Sequence, residues 1–298
     1  MSIFDALVRY GMPLVPKVIV GRVARRYVAG ETLDDAVRTL REMNAEGAMG
    51  TVDVLGEEVT ERSRASTAVD EYLRLLERIE DERLDANISI KPTMLGLKID
   101  QSLCEDNVAT IVDRAAELGN FVRIDMEDHS CTDGTLELYR GMHARHSNAV
   151  GVVLQSYLRR TIADVNDLVP LQPNVRICKG IYREPRTIAW KQYETVRSSF
   201  VYATEKLLSA GAYVGIATHD PHLVWEAIRI VDQLGLDRSR YEFQMLLGVD
   251  PELRRIILGD GHRLRVYVPY GRDWSPYSMR RLRENPTVAR HVMRALLP

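Results

Sequence analysis

The chain predicts an α/β fold, a closed (β/α)8 barrel with extra helices at its N-terminus, and three features point there. Eight short β-branched runs alternate with longer amphipathic stretches along nearly the whole length. Alternation of this kind builds a parallel sheet, and eight rounds of it close the sheet into a barrel. The 298 residues show no low-complexity linker and no shift of composition, so a single barrel domain with a short extension accounts for them. Polar side chains, finally, collect at the C-terminal end of one run after another, where barrels of this class carry their working groups.

The first thirty residues interleave Phe4, Leu7, Val8, Leu14 and Val15 with Arg9, Lys17, Arg22, Arg25 and Arg26. No small-residue cleavage site follows an unbroken apolar core, which argues against a secretory signal, and no apolar run reaches the ~18 residues of a membrane span. The segment reads as a helix covering the barrel, with a cation-rich anchor on a membrane surface as the alternative. Thr32 with Asp35 three residues on makes a capping-box start, and Gly47 a stop, for a helix that precedes the first strand. It belongs to an N-terminal helical extension, residues 1–50, and the barrel with its C-terminal helix takes 51–298. Strands are expected at 51–55, 87–90, 121–125, 150–155, 174–179, 213–218, 241–246 and 263–268. Between them, sets such as Val69, Tyr72, Leu73, Leu76 and Ile79, or Val108, Ile111, Val112, Ala115 and Leu118, recur at helical spacing.

Charge and cysteine usage exclude several functions. A net charge of -2 gives no bulk electrostatic case for nucleic acid. Cys104, Cys131 and Cys178 are odd in number and far apart, which suits neither a disulfide framework nor a zinc cluster and implies a reducing, cytoplasmic setting. Metal hydrolysis on a barrel needs two or three histidines at strand ends. Of the seven here only His219 is well placed, so no metal is expected. Neither GxGxxG nor GxxxxGKS/T occurs.

The strand ends carry Glu57 after the first strand, Lys91 after the second, and Asp125, Glu127 and Asp128 around the end of the third. Gln155 ends the fourth, Arg176, Lys179 and Tyr182 mark the fifth, and Thr218, His219 and Asp220 the sixth. Gln244 lies on the seventh, Tyr267 and Tyr270 on the eighth. So many cations in a barrel mouth imply an anionic ligand, a phosphate-bearing cofactor or an acidic substrate. A Schiff-base lyase or aldolase stays open, because Lys91 and Lys179 both end strands. Near the C-terminus, Tyr277, Arg280, Arg281 and Glu284 are three or four residues apart and share one face of a helix. Two adjacent guanidiniums, flanked by Tyr277 and Glu284, suit a planar carboxylate or a phosphate.

Ser89-Ile90-Lys91-Pro92, Arg123-Ile124-Asp125-Met126-Glu127, Leu154-Gln155-Ser156-Tyr157 and Arg176-Ile177-Cys178-Lys179-Gly180-Ile181-Tyr182 form an ordered series of strand-end motifs. Ala217-Thr218-His219-Asp220, Glu242-Phe243-Gln244, Arg265-Val266-Tyr267-Val268-Pro269 and the Tyr277 to Glu284 face continue it. The series resembles that of the proline dehydrogenase (proline oxidase) family, in its compact single-activity branch, from about residue 51 to 286. After Tyr182 the chain has Arg183-Glu184-Pro185, where the larger bifunctional relatives carry tryptophan.

The resemblance implies a distorted barrel that holds FAD and oxidises L-proline to Δ1-pyrroline-5-carboxylate by hydride transfer from ring C5 to flavin N5. A membrane quinone would then take the electrons, in the first step of proline degradation to glutamate. By the same resemblance Arg280, Arg281 and Lys91 would grip the substrate carboxylate, with Tyr267, Leu246 and Tyr277 shaping the pocket. Gln155 and Arg176 would touch the flavin ring, Arg176 near N5, where negative charge develops. Lys179, Gly180, Ile181, Thr218 and His219 would hold the ribityl, pyrophosphate and adenosine side. Asp125 and Met126 would lie beside the reacting centre, Asp125 as proton acceptor or as the group that positions Lys91. Glu57 would support Arg281 or Lys91, and Glu284 the paired arginines. The implied setting is cytoplasmic, with peripheral contact at the inner face of the membrane left open.

Overall fold

The structure, a computed structural model, describes residues 26–275, 277 and 278. Eight parallel strands close on themselves in sequence order: β1 (Met49–Val54), β2 (Ala86–Ile90), β3 (Val122–Ile124), β4 (Val150–Gln155), β5 (Asn174–Cys178), β6 (Tyr213–Ala217), β7 (Tyr241–Leu246) and β8 (Leu264–Tyr270). The expected (β/α)8 barrel is therefore present, and each strand falls within two residues of its expected bounds. The seam is the β1–β8 pairing, with Thr51 opposite Tyr267 and Asp53 opposite Pro269. β8 runs past the expected end at Val268 because partners from distant chain hold it. Ala29 N–H donates to Pro269 O and Leu55 N–H to Tyr270 O, both at about 2.8–2.9 Å, and residue spacing carries no trace of such bonds.

Eight α-helices are described: α1 (Leu33–Ala45), α2 (Arg62–Asp81), α3 (Gln101–Glu117), α4 (Thr132–Arg145), α5 (Thr161–Leu168), α6 (Tyr193–Ser209), α7 (Pro221–Gln233) and α8 (Pro251–Gly259). α1 starts as expected. Thr32 accepts from Asp35 N–H while the Asp35 carboxylate accepts from Thr32 N–H at 3.1 Å, so two orphan donors are satisfied reciprocally. It packs against β8 and β1 over the seam, burying Ala36, Val37, Leu40 and Met43. No helix among the described residues is long and apolar enough to cross a membrane.

Period-two alternation explains what faces where. One set of strand positions is apolar and buried beneath the helices: Val52, Ile88, Ile90, Val122, Ile124, Val152, Val175, Ile177, Val214, Ile216, Val266 and Val268. Each such side chain contributes roughly 1.5–3 kcal/mol on leaving water. The alternate positions point inward and are mostly polar or small, with Val153 and Leu246 among the exceptions. Ordinary barrels fill the same space with branched aliphatics. Room for large polar groups comes from glycine: a Cβ on Gly151 would fall 2.4 Å from Arg123 Nη1 and 2.5 Å from Asn174 O.

Candidate active site

Inside the barrel the polar residues are arranged in two connected layers. In the lower one Arg265 Nε donates to Glu242 Oε1 at 2.8 Å and Arg265 Nη2 to Oε2 at 3.1 Å, while Tyr213 O–H adds a bond of 2.9 Å. Burial works against the Glu242 charge, but the Arg265 guanidinium and these donors outweigh it and hold the carboxyl at about 2. Gln244 joins the layers: its amide N–H donates to Glu242 Oε1 at 2.6 Å, and its carbonyl accepts from Arg176 at 3.5 Å.

The upper layer is the floor of a cavity at the C-terminal ends of the strands. Arg176 on β5 forms an ion pair with Asp125, which also accepts from Ser89 Oγ and Tyr267 O–H, both at 3.0 Å. The Arg176 guanidinium lies over the Tyr267 ring, 5.5 Å from its centroid. Lys91, directly after β2, donates to both oxygens of Asp53 on β1 at 2.5 Å and lies 3.4 Å from the Tyr267 hydroxyl. Burial opposes the ammonium, yet Asp53, Asp125 and the direct bond raise the Lys91 pKa above the usual lysine value.

The cavity holds about 690 Å³, within the range of small-molecule and cofactor pockets. At its other side Lys179 Nζ donates to Asp220 Oδ2 at 3.2 Å, and Arg197, from the first turns of α6, donates to both Asp220 oxygens at 2.8–2.9 Å. Tyr193 O–H reaches the same oxygen at 2.6 Å, with the Arg197 guanidinium 4.3 Å from its ring centre. Asp220 also caps α7, so cations and a helix N-terminus converge at one rim. His219 Nε2 accepts from Leu246 N–H at 2.8 Å, which fixes the imidazole. Gly180 has a φ of +101°, and a Cβ there would lie 2.2 Å from the Tyr157 ring, so only glycine lets the loop after β5 pack so closely.

Glu127 is a buried carboxyl of the cavity wall. Both its oxygens accept from Thr93, N–H at 2.9 Å and Oγ–H at 2.5 Å, and Thr93 Oγ in turn accepts from Glu58 N–H at 2.9 Å. The loops after β1, β2 and β3 are thereby tied together. Burial pushes Glu127 up to about 7; the Thr93 bonds and the Lys91 charge oppose this, and Glu57 adds to it.

The structure brings thirteen of the expected site residues to this one cavity. Lys91, Asp125, Met126, Gln155 and Arg176 line it with Lys179, Gly180 and Ile181, and so do Thr218, His219, Leu246, Tyr267 and Tyr277. Gln155 is fixed by donating to Glu127 O at 2.8 Å. Glu57 lies in the loop after β1 and is not part of the lining. Arg280, Arg281 and Glu284 lie outside the described residues.

Two readings of the sequence gain partners that spacing does not show. The direct carboxylate contact of Lys91 is with Asp53, whereas Asp125 bonds Arg176, Tyr267 and Ser89 and acts on Lys91 through its charge. Nor does the abundance of cations by itself demand an anionic ligand, because Lys91, Arg176, Arg197 and Lys179, and Arg265 each have a carboxylate within the protein. Asp53, Asp125, Asp220 and Glu242 supply that balancing charge. Sequence reasoning also missed Tyr193 and Arg197, which reach the rim from a helix. The signal for Asp53 was available: it alternates with the apolar Val52 and Val54 and so faces inward.

A family model described as "Proline dehydrogenase" matches residues 36–294. The chain is 35% identical over 274 residues to "Proline dehydrogenase 1" of Bacillus subtilis subsp. natto, covering 92% of this chain and 90% of that one. It is also 35% identical over 279 residues to "Proline dehydrogenase" of Deinococcus radiodurans, again with 92% and 90% covered. Among solved structures, proline utilization A (PutA) from Bdellovibrio bacteriovorus, inactivated by N-propargylglycine, superposes with a TM-score of 0.84 at 23% identity. That match spans 89% of this chain and 32% of the other, and it speaks for the fold.

Proposed function

The chain belongs to the proline dehydrogenase family, and we propose that it oxidises L-proline to Δ1-pyrroline-5-carboxylate with FAD in the cavity and a membrane quinone as final electron acceptor. The observation that carries the cofactor reading is the cavity's two-sided lining. A guanidinium and a fixed amide, Arg176 and Gln155, stand at the floor, while Lys179 and Arg197 stand beside the N-terminus of α7 at the rim. Such a donor set fits a flavin ring at one side and a diphosphate at the other. When bound, FAD supplies an acceptor for the hydride that leaves ring carbon C5.

The remaining chemistry falls to the chain. Lys91, with Arg280 and Arg281 by the family resemblance, takes the substrate carboxylate and thereby orients the ring. Tyr267 is clamped between Asp125 and Lys91 and supplies a rigid wall with Leu246 and Tyr277. Arg176, held by Asp125, would place a fixed positive charge beside the ring of a bound flavin, which takes up negative charge on reduction. Hydride departs only from the neutral amine, so the ring nitrogen must first release its proton. The Asp125–Tyr267 pair lies at the cavity floor as a route for it, with solvent as the alternative acceptor.

A Schiff-base enzyme is disfavoured by the same geometry. Its lysine must be neutral to attack, and Lys91 is instead held charged by Asp53, while Lys179 is occupied by its contact with Asp220. The cytoplasmic setting and contact of residues 1–30 with a membrane face belong to this proposal; that segment is described only from residue 26. The functional reading is tested by denaturing the purified protein and chromatographing the released chromophore against FAD and FMN. The product should have the mass of L-proline less two hydrogens. Release of FMN, release of no flavin, or borohydride trapping of substrate on a lysine would overturn it.

A further inference from the structure

Lys91 stands at the cavity floor, yet the element that holds it is a strand neighbour the substrate does not touch. Asp53 is fully buried on β1 and absent from the cavity lining, and both of its oxygens lie 2.5 Å from Lys91 Nζ. An ammonium has three N–H donors. Asp53 takes its share, the Tyr267 hydroxyl lies 3.4 Å from the ammonium and also bonds Asp53, and Lys91 itself lines the cavity that Asp53 does not reach. We propose that Asp53 is a positioning residue for the oxidation: it keeps Lys91 charged and aims one N–H at the substrate carboxylate. For its ligand this rests on the proline reading above.

The surroundings explain why such a residue is required. Facing the Lys91–Asp53 pair are Tyr72 from α2, Asp125 and Glu127 at the end of β3, and Tyr267 and Tyr270 from β8, with Arg176 from β5 behind Asp125 and Ser89. Asp125 is already engaged by Arg176, Tyr267 and Ser89, and Glu127 by Thr93. Removing the Asp53 charge therefore leaves Lys91 buried with no direct carboxylate partner among the described residues. A lysine so placed loses its proton readily, because burial disfavours the charged form. Asp53 thus sets the protonation state of a group that binds substrate, without touching substrate itself.

The test uses the holoenzyme and cyclopentanecarboxylate, a proline-shaped carboxylate that lacks the ring nitrogen and cannot be oxidised in the same way. In the wild type its Kd, from calorimetry, should vary little between pH 6 and 9. In Asp53→Asn it should rise about tenfold to a hundredfold over that window, as buried lysine gives up its charge. Asp53→Glu should restore the flat profile. In a Lys91→Met background, adding Asp53→Asn should change nothing further, and this neutral pair also keeps the test available if the single variant folds poorly. Acetic anhydride with peptide mass mapping reads the lysine independently of substrate: Lys91 should resist acetylation in the wild type and accept it in Asp53→Asn near neutral pH.

A flat Kd profile with unreactive Lys91 in Asp53→Asn would overturn the proposal. So would a further loss of affinity when Asp53→Asn is added to Lys91→Met. If the wild type neither binds the carboxylate nor oxidises proline while Lys91 still becomes reactive in Asp53→Asn, the proline reading fails. The proposed substrate role of Asp53 falls with it, and only the control of lysine charge survives.

Discussion

The Tyr267 hydroxyl donates to Asp125 Oδ2 at 3.0 Å, across the barrel mouth from β8 to β3. The bond fixes an aromatic wall and a carboxylate at once, and Asp125 in turn fixes Arg176. Tyr267→Phe keeps the wall and deletes the donor. Bonds to charged groups contribute about 1.5–3 kcal/mol, so kcat/KM for L-proline should fall roughly tenfold to a hundredfold. Flavin content should stay near the wild-type level. Steady-state kinetics with an artificial dye, alongside flavin absorbance, checks both.

Glu242 and Arg265 should behave as fold rather than site. Glu242→Ala leaves a buried guanidinium without its carboxylate, which costs about 3–5 kcal/mol. A fall in Tm on the order of 10 °C is expected. Activity of the protein that stays folded should change far less. Thermal unfolding and kinetics at a temperature well below the transition separate the two effects.

Glu127 gives a pH dependence with a definite sign. Its folded pKa of about 7 lies above the ordinary glutamate value of 4.5, so between these the folded state holds the proton more tightly than the unfolded chain. The favourable contribution is complete below about pH 4.5 and is lost as pH rises through 7. Relative to Glu127→Gln, the wild type should lose up to about 3 kcal/mol of stability between pH 4.5 and 8. Urea unfolding of both proteins at several pH values measures the difference in slope.

Gly180→Ala puts a Cβ into the Tyr157 ring at a φ that side chains rarely adopt, costing about 1–3 kcal/mol of local strain. The loop should move and take Lys179 and Ile181 with it. An apparent FAD affinity about tenfold weaker is expected, read by equilibrium dialysis of the cofactor, with overall folding retained.

The barrel was legible because its outward positions obey a strict period: Val52, Ile88, Ile90, Ile124 and Ile216 could be read as strands without any knowledge of contacts. The cavity residues were legible wherever a polar side chain stood at a strand end, as Lys91, Asp125 and Lys179 do. Asp53 escaped because it sits inside a strand whose end drew attention to Glu57. Arg197 and Tyr193 escaped because they reach the rim from α6, well beyond the strand that precedes it. The pairing of Glu242 with Arg265 joins residues on neighbouring strands and leaves no local pattern at all. Long-range partnership of this kind is set by barrel closure, which residue spacing does not encode.

The most direct test of hydride transfer in this cavity is an anaerobic titration of the purified protein with L-proline, followed by visible absorbance. The protein should be yellow, and one equivalent of proline per site should bleach it, while cyclopentanecarboxylate should perturb the spectrum without bleaching. A colourless protein, or a yellow one that excess proline leaves unbleached, would contradict the assignment.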